Sequence, residues 1–257
     1  MSPTRNPTWT REDLIIAFNL YCKIPFGRID HRNPQIIDLA KIIHRTPSSV
    51  AWKLSNFARL DPSLQARGIK GASHGSKGEV EVWKEFNGNW EALAFESERL
   101  LAQRTGISIE RLAAIDETDL PREGKERERL VRIRVNQYFF RSAVLAAYEN
   151  RCCITGISIP TLLSACHIAP WSADPKNRLN PRNGLCLTAV HHRAFDLGLI
   201  TITPEFRVKV STTLLNVKND DAIQAFFGRY HNENVRIPTR FLPDPKLLKG
   251  HSRIFVP

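Results

Sequence analysis

The spacing of apolar residues near the start of the chain predicts a helix. Leu14, Phe18 and Tyr21 recur at three- and four-residue intervals and therefore share one helical face. Thr10 precedes them as a potential N-cap, and two acidic residues follow it in the first turn. The pattern predicts that this helix begins near residue 11.

Two further helices are predicted immediately downstream, joined by a short turn. Asn33 and Thr46 each stand before a proline, which suits the first position of a helix. Two short helices joined in this way resemble a helix-turn-helix, with an ordinary helical hairpin as the alternative. The residues expected to meet phosphates or base edges are Arg45, Ser48, Ser49, Trp52, Lys53 and Asn56.

Three more features complete the first half. Residues 66–78 form a glycine-rich basic loop in which Lys70 and Lys77 could contact DNA phosphates, or which could be a simple connector. Residues 79–101 have helical apolar spacing, which favours packing or a dimer surface. The charged segment 116–131, which contains Pro and Gly, predicts a linker.

The second half has a different pattern, made of short apolar runs. A helix is predicted from about residue 136 to 148, and Arg134 and Arg141 near it are candidate DNA contacts. The run TLLSACHI predicts a strand, residues 184–187 predict a second strand, and TAVHHRAFDLG predicts a helix that stops at Gly198. The polar loop between the strands exposes three more candidate DNA contacts, namely Lys176, Arg178 and Arg182.

Composition and charge narrow the functional classes. Hydrophobic residues make up 42% and charged residues 25%, as in soluble globular proteins, and no apolar run is long enough to span a bilayer. Five cysteines and no apolar signal core predict the reducing cytoplasm. Residues 1–78 carry 12 Lys and Arg against 5 Asp and Glu, and residues 121–257 carry 21 against 11. These two basic blocks favour nucleic acid as the partner.

The order of histidine and asparagine residues in the second half narrows the functional class further. His167 ends the first predicted strand, Asn183 precedes the second, and His191 and His192 lie on the following helix. The stretch RCCITG…CHIAPW…NRLNPRNGLCLTAVHHRAFDLGLITI resembles the HNH, or ββα-metal, nucleases, especially those of bacterial restriction systems, many of which depend on modified bases. The resemblance covers about residues 132–210.

The resemblance implies a division of roles among these residues. His167 would be the general base, since an imidazole near neutrality can accept a proton at pH 7. Asn183, or a backbone carbonyl, would orient that ring or brace the loop. The family spacing makes His192 a metal ligand, and Asp196 lies one helical turn further on the same face. His191 ranks below both. The implied cofactor is Mg²⁺, Mn²⁺ or another divalent ion.

Two positions depart from the family pattern. Cys166 stands where many members have an Asp or His ligand, and a thiolate would favour zinc over magnesium. The simpler interpretation is that Cys166 faces the core and that the helix alone holds the metal. Cys153 and Cys186 each lack the second cysteine of a Cys-x-x-Cys pair, so a structural zinc is not expected.

Together these observations predict an α+β protein. A helical DNA-recognition domain (1–115), helix-turn-helix-like, is expected to precede a linker (116–131) and a ββα-metal HNH nuclease domain (132–257). The expected activity is metal-dependent cleavage of double-stranded DNA by a homodimer, with restriction as the role and no membrane association. The alternatives are a regulator with an inactive HNH fold, a homing or mobile-element nuclease, and an RNA-processing factor, which the helix-turn-helix pattern disfavours.

Overall fold

The helical periodicity of the first half and the short apolar runs of the second give an α+β structure, as predicted. The structure is a computed structural model, and it describes residues 8–69, 75–217 and 220–257. The chain divides into two units, which are described separately. The first contains the chain up to Cys22 together with 28–138, and the second contains 23–27 with 139–257.

The described part of the first unit contains helices joined by turns, without strands, and the boundary between the units falls within helix α8. Its helices are α1 (Arg11–Lys23), α2 (Pro34–Ile42), α3 (Pro47–Leu60), α4 (Pro62–Ala66), α5 (Lys77–Phe86), α6 (Trp90–Thr105), α7 (Ile109–Leu112) and α8 (Lys125–Ala147).

The predicted capping residues begin the first three helices. Thr10 Oγ1 accepts from the Asp13 backbone N–H at 3.1 Å, so it caps α1. Asn33 caps α2, and Thr46 caps α3 by accepting from the Ser49 backbone N–H. A capping side chain satisfies an N–H group that the first helical turn leaves without a partner. The sequence therefore predicts these helix starts correctly.

Helix α1 lies at the centre of the first unit. Its residues from Asp13 to Asn19 are all buried, although the apolar periodicity marked only one face. The Phe18 ring stacks on Phe57 of α3 with centroids 4.9 Å apart, and lies 5.1 Å from Trp83 of α5. Neighbouring helices therefore cover α1 on several sides.

Two predicted DNA contacts on α3 are wrong, because the structure buries them. Lys53 and Asn56 are 7% and 2% exposed. Both donate to Glu79 of α5, Lys53 through its ammonium group and Asn56 through its amide at 2.9 Å. The Glu79 carboxylate also accepts from the Ser76 backbone N–H, which completes a capping box at the start of α5. Helix α5 thus covers the part of α3 that carries Lys53 and Asn56.

Replacing Lys53 with alanine is expected to destabilise the protein rather than to weaken DNA binding directly. The change leaves the buried Glu79 carboxylate without its charged partner, which typically costs about 3–5 kcal/mol. Urea unfolding of the full chain measures this loss. Trp52→Ala is the matched control, since Trp52 is 61% exposed on the same helix, and surface changes usually stay within about 0.5 kcal/mol. Unchanged stability with a weaker salt dependence of DNA binding would instead restore the groove-facing role of Lys53.

The Arg45 side chain also turns inward, contrary to its prediction as a DNA contact. It is 6% exposed, and its guanidinium lies 3.5 Å from an Asp13 oxygen and 4.3 Å from the centre of the Trp9 ring. The carboxylate and the aromatic face hold it within the unit. Exposed or half-exposed predicted contacts of this unit are Ser48, Ser49, Trp52, Lys77 and Arg134, while Lys70 lies outside the described residues.

Two predicted segments differ in detail from the structure. The single helix expected over 79–101 is two helices, α5 and α6, separated by a turn in which Gly88 has a φ of +102°. Helix α8 begins at Lys125, so the last part of the predicted linker is helical. Arg127 anchors this part by donating to Glu110 at 2.7 Å and to the Pro121 carbonyl at 2.9 Å. The charge pattern of the sequence does not indicate these contacts.

In its described residues the second unit contains two antiparallel strand pairs, β1 with β2 and β3 with β4. A long polar loop joins β1 to β2, and α9 follows β2 directly. Its further elements are β1 (Leu163–His167), β2 (Gly184–Thr188), α9 (Ala189–Asp196), β3 (Ile200–Ile202), β4 (Val208–Val210), α10 (Thr212–Leu215), α11 (Asp221–Phe226) and α12 (Pro245–His251).

Two glycines fix the ends of β2 and α9. A Cβ atom on Gly184 would lie 2.3 Å from Val144 Cγ2, so the first residue of β2 packs directly on helix α8. Gly198 has a φ of +68°, in the left-handed region that favours glycine, and it follows the last turn of α9. The predicted helix stop at Gly198 is confirmed. Both glycines therefore help to position β2 and α9, which carry residues of the site.

Candidate active site

The candidate site is built on β1, the loop that follows it, β2 and α9. Strands β1 and β2 pair antiparallel, with Cys166 opposite Leu185 and His167 opposite Gly184. This is the strand, loop, strand and helix order that the sequence predicts. Because α9 begins one residue after β2 ends, its first turns lie against the paired strands.

His167 is held in one orientation at the end of β1. Its imidazole stacks on the Phe140 ring, with centroids 3.9 Å apart and planes 6° from parallel. Trp171 contacts it edge-on at 5.6 Å. The Nε2 atom lies 2.9 Å from the carbonyl oxygen of Arg178. A carbonyl can only accept, so Nε2 carries the hydrogen and Nδ1 keeps its lone pair.

The surroundings of His167 keep its ring neutral near pH 7. Burial lowers its pKa from the ordinary value of 6.5, and the neighbouring His192 acts in the same direction. The hydrogen bond to the Arg178 carbonyl and the Asp196 carboxylate oppose this shift without cancelling it. A buried imidazole loses hydration of its charged form, which is why the neutral form is favoured. The free Nδ1 atom is therefore able to accept a proton.

The side-chain hydrogen bonds of Asn183 brace the loop. Its side chain is fully buried and accepts from the Ala169 backbone N–H at 2.8 Å. It also donates to the carbonyls of Ala169 and Asn177, each at 3.1 Å. The amide thus ties the two ends of the loop together and fixes the chain just before Arg178. The orientation of the imidazole comes from the Arg178 carbonyl, the second of the two options that the sequence left open.

The Arg178 side chain also serves the loop. Its Nε donates to the Trp171 carbonyl at 2.6 Å, and its guanidinium lies 5.6 Å from the centre of the Trp171 ring. The residue predicted as a DNA contact therefore closes the loop on itself while its own carbonyl holds His167. The sequence does not indicate this role. Every residue has a backbone carbonyl, so residue type does not show which carbonyl accepts the hydrogen bond.

His192 and Asp196 lie together on the face of α9 that meets β1. His192 Nε2 is 3.4 Å from Asp196 Oδ2, and His192 Nδ1 is 2.8 Å from Ser164 Oγ. If Nδ1 donates to Ser164, the Nε2 lone pair is left on the side of Asp196. Metal-binding histidines commonly donate their other ring N–H to a fixed acceptor in this way. Ser164 was not anticipated; its position two residues before Cys166 on a strand is the signal that places it on the same face.

Cys166 completes a cluster of three potential metal-binding side chains. Its Sγ lies 3.9 Å from Asp196 Oδ1. One ligand atom each from Cys166, His192 and Asp196 lie within 4.8 Å of one another, and this is the one such group of three among residues 8–69, 75–217 and 220–257. Burial and the Asp196 carboxylate raise the pKa of the Cys166 thiol well above its usual value. Nitrogen, oxygen and sulfur donors at this separation fit a divalent cation.

His191 does not join this cluster, so its prediction as a metal ligand is wrong. The side chain is buried, and both ring nitrogens are bonded elsewhere. Nδ1 lies 2.8 Å from Thr188 Oγ1 and Nε2 lies 2.7 Å from the Phe226 carbonyl. Adjacent helical residues point about 100° apart, which turns His191 into the core when His192 faces β1.

The other three cysteines of the second unit belong to no group of three potential metal-binding side chains in the described part of the chain. Cys152, Cys153 and Cys186 are buried and free, and they are outside the group of three described above. Burial raises the pKa of Cys153 and raises that of Cys186 to about 12, which keeps both as thiols. The prediction that no structural zinc is held here stays a prediction.

Basic side chains lie on the elements that carry His167. Lys176 is exposed on the loop after β1. Arg182, at the other end of that loop, is exposed and donates to the Leu242 carbonyl at 3.1 Å. Arg141 is exposed on α8, the helix that supplies Phe140, and donates to the Pro160 carbonyl at 3.3 Å. These three predicted DNA contacts are therefore accessible within the second unit.

The comparison with known protein families bears directly on this arrangement. Residues 152–203 match the HNH endonuclease family. The matched segment contains β1, the loop, β2 and α9, and thus His167, Asn183, His192 and Asp196. This match supports nuclease activity on DNA for residues 152–203. No curated protein matches the chain. In the described residues, no helix has the length and apolar character needed to cross a bilayer.

Proposed function

We propose that the protein is a metal-dependent endonuclease that hydrolyses phosphodiester bonds of double-stranded DNA. The observation that carries this proposal is the free Nδ1 of a neutral, immobilised His167 next to a cluster of metal-binding side chains. The HNH match over residues 152–203 supports the same chemistry. A structural histidine of this kind has both nitrogens occupied, as His191 does.

His167 is proposed as the general base. Its Nδ1 takes a proton from water while the water oxygen attacks phosphorus and the bond to the 3′ oxygen breaks. The stacked Phe140 ring and the Arg178 carbonyl keep Nδ1 in place, so little orientational freedom is lost in the transition state. Because the ring starts neutral, no prior loss of a proton is required at pH 7.

His192 and Asp196 would hold the divalent cation, for which the family resemblance implies Mg²⁺ or Mn²⁺. When bound there, such an ion supplies Lewis-acid stabilisation of the charge that develops on the phosphate and the leaving oxygen. Ser164 fixes the orientation of the His192 ring, and the β1–α9 packing fixes the carboxylate beside it. Asn183 is proposed as a positioning residue that acts through the loop.

The biological role proposed is restriction of foreign DNA, including restriction that depends on cytosine modification. One such site cuts one strand, so cleavage of both strands requires a homodimer or two successive nicks. Residues 79–101 are the proposed dimer surface, and the exposed basic residues on the loop and on α8 are proposed to contact phosphates. Domain limits at 1–115 and 132–257 remain part of this proposal.

Plasmid cleavage tests the function directly. Supercoiled plasmid, unmodified or cytosine-methylated, is incubated with the full chain and Mg²⁺, Mn²⁺ or EDTA. We expect cutting with a divalent ion and none with EDTA, and a preference between the two plasmids would assign the modification dependence. Salt-sensitive DNA binding without cutting under any metal would instead favour the regulator with an inactive HNH fold.

The rate of cleavage is expected to fall only in acid. The base works when its ring is neutral, that is, at a pH above its pKa, and burial places that pKa below 6.5. Activity should therefore be independent of this group at pH 7–8 and decline as the pH falls below about 6.5, the ordinary value for histidine. Single-turnover rates across this range, with metal saturation verified at each pH, measure this decline in rate. A decline centred at a pH above the ordinary histidine pKa would contradict the assignment.

A further inference from the structure

The register of β1 places a thiol in the candidate metal site. Alternate strand residues share a face, so Ser164 and Cys166 point the same way. Ser164 Oγ contacts His192 and Cys166 Sγ contacts Asp196, which are one helical turn apart on α9. Ser164 and Cys166, which are adjacent on one face of β1, thus contact residues that are adjacent on one face of α9. Cys166 is the one that contacts the carboxylate.

Among the residues that the structure describes, the sulfur of Cys166 makes only weak polar contacts. It is fully buried, and its two polar contacts are long, at 3.6 Å to the His167 carbonyl and 3.9 Å to Asp196 Oδ1. A cysteine that only filled the core would not need a carboxylate and an imidazole beside it. The ligand atoms of Cys166, His192 and Asp196 all lie within 4.8 Å of one another. Ligands of one tetrahedral ion lie roughly 3.3–3.8 Å apart, so these side chains need to close only slightly to share an ion.

We propose that Cys166 is a third protein ligand and that the site prefers a thiophilic ion of the Zn²⁺ or Co²⁺ class to Mg²⁺. The inference rests on the proposed function of the site in holding a metal. As the sulfur–metal bond forms, the S–H bond breaks and its proton is released to solvent. Sulfur and imidazole donors favour such ions, whereas Mg²⁺ is usually held by oxygen ligands and water. Three protein ligands leave one position for a substrate oxygen or water.

Cobalt spectroscopy of the full-length protein tests the sulfur bond without relying on activity. Metal-free protein is titrated with Co²⁺, and we expect a near-ultraviolet band from sulfur-to-cobalt charge transfer together with intense visible bands of a four-coordinate ion. Cys166→Ser replaces the sulfur with a hydroxyl of similar size and should abolish the near-ultraviolet band. The matched control is Cys186→Ser. Cys186 is an equally buried thiol on β2, and it pairs with Ala165, so it lies on the opposite face of the strand pair.

Metal affinity provides the second measurement. Chelator competition should show that Cys166→Ser weakens Zn²⁺ binding by at least about 10-fold, comparable with or beyond the loss of a supporting hydrogen bond at such a site. Weak Mg²⁺ binding, measured separately, should change little. Circular dichroism of the metal-free variants checks folding, and Cys166→Ala is used if the serine variant does not fold. Asp196→Asn should retain the near-ultraviolet band, since the sulfur is still present.

The outcomes separate this inference from the proposed nuclease activity. A charge-transfer band in the wild type that disappears only in the Cys166 variants supports the inference, whether or not the protein cuts DNA. A band that persists in Cys166→Ser, or saturating Co²⁺ binding without any sulfur band, overturns it. In that second case Mg²⁺-dependent plasmid cleavage would leave the nuclease proposal standing.

Discussion

Replacing His167 with alanine is expected to lower the rate of DNA cleavage by about 10²–10⁴-fold, the usual contribution of a general base. The lost Nδ1 atom has no hydrogen-bond partner among the residues that the structure describes, so it can accept a proton from water. DNA affinity should be nearly unchanged, because the exposed basic residues on the loop and α8 remain. Single-turnover cleavage and equilibrium binding, measured on the same preparations, separate the two effects.

Chemical rescue distinguishes the loss of a base from the loss of structure. The alanine variant leaves a space beside the Phe140 ring, against which the native imidazole stacks. Added imidazole should therefore restore part of the cleavage rate in His167→Ala. The control is His231→Ala, which removes a half-buried histidine whose Nδ1 accepts from the Val210 backbone N–H, and it should cut at the wild-type rate. Undiminished cutting by His167→Ala would remove this residue as the base.

The local sequence was enough to predict the elements that carry the site. Thr46 before a proline fixes the start of α3, because a capping oxygen and a preset φ angle act within one turn. The four-residue spacing of His192 and Asp196 likewise places both side chains on one helical face. Such rules involve few residues and depend little on the rest of the fold. For the same reason His191, one residue away, could be ranked below His192.

The contacts that could not be predicted depend on which helix or loop packs against which other element. Lys53 and Asn56 look like exposed polar residues, yet α5 buries them around Glu79, a contact between segments 23–26 residues apart. Sequence periodicity cannot show that a second helix satisfies these groups. The orientation of His167 likewise comes from a carbonyl 11 residues away. Side-chain identity at Arg178 carries no information about that backbone oxygen.

Replacing Asn183 with alanine is expected to lower the cleavage rate at saturating DNA by about 10²-fold, the effect of misplacing a catalytic group by about 1 Å. The change leaves the Ala169 N–H and the carbonyls of Ala169 and Asn177 without their side-chain partner. The loop then no longer fixes the Arg178 carbonyl, and the His167 ring loses its single orientation. The KM for DNA should stay within about 3-fold, because no phosphate contact is removed in this change.

The matched control is Asn180→Ala in the same loop. Asn180 caps the short helical turn that follows it, by accepting from the Arg182 backbone N–H, and its removal should cost about 1 kcal/mol. Asn183→Ala should cost a similar or larger amount, about 1–3 kcal/mol, through the groups it leaves unpaired. Comparable stability loss with a rate loss only in Asn183→Ala would establish the positioning role. Equal rate losses in the two variants would show that Asn183 acts only through the stability of the loop.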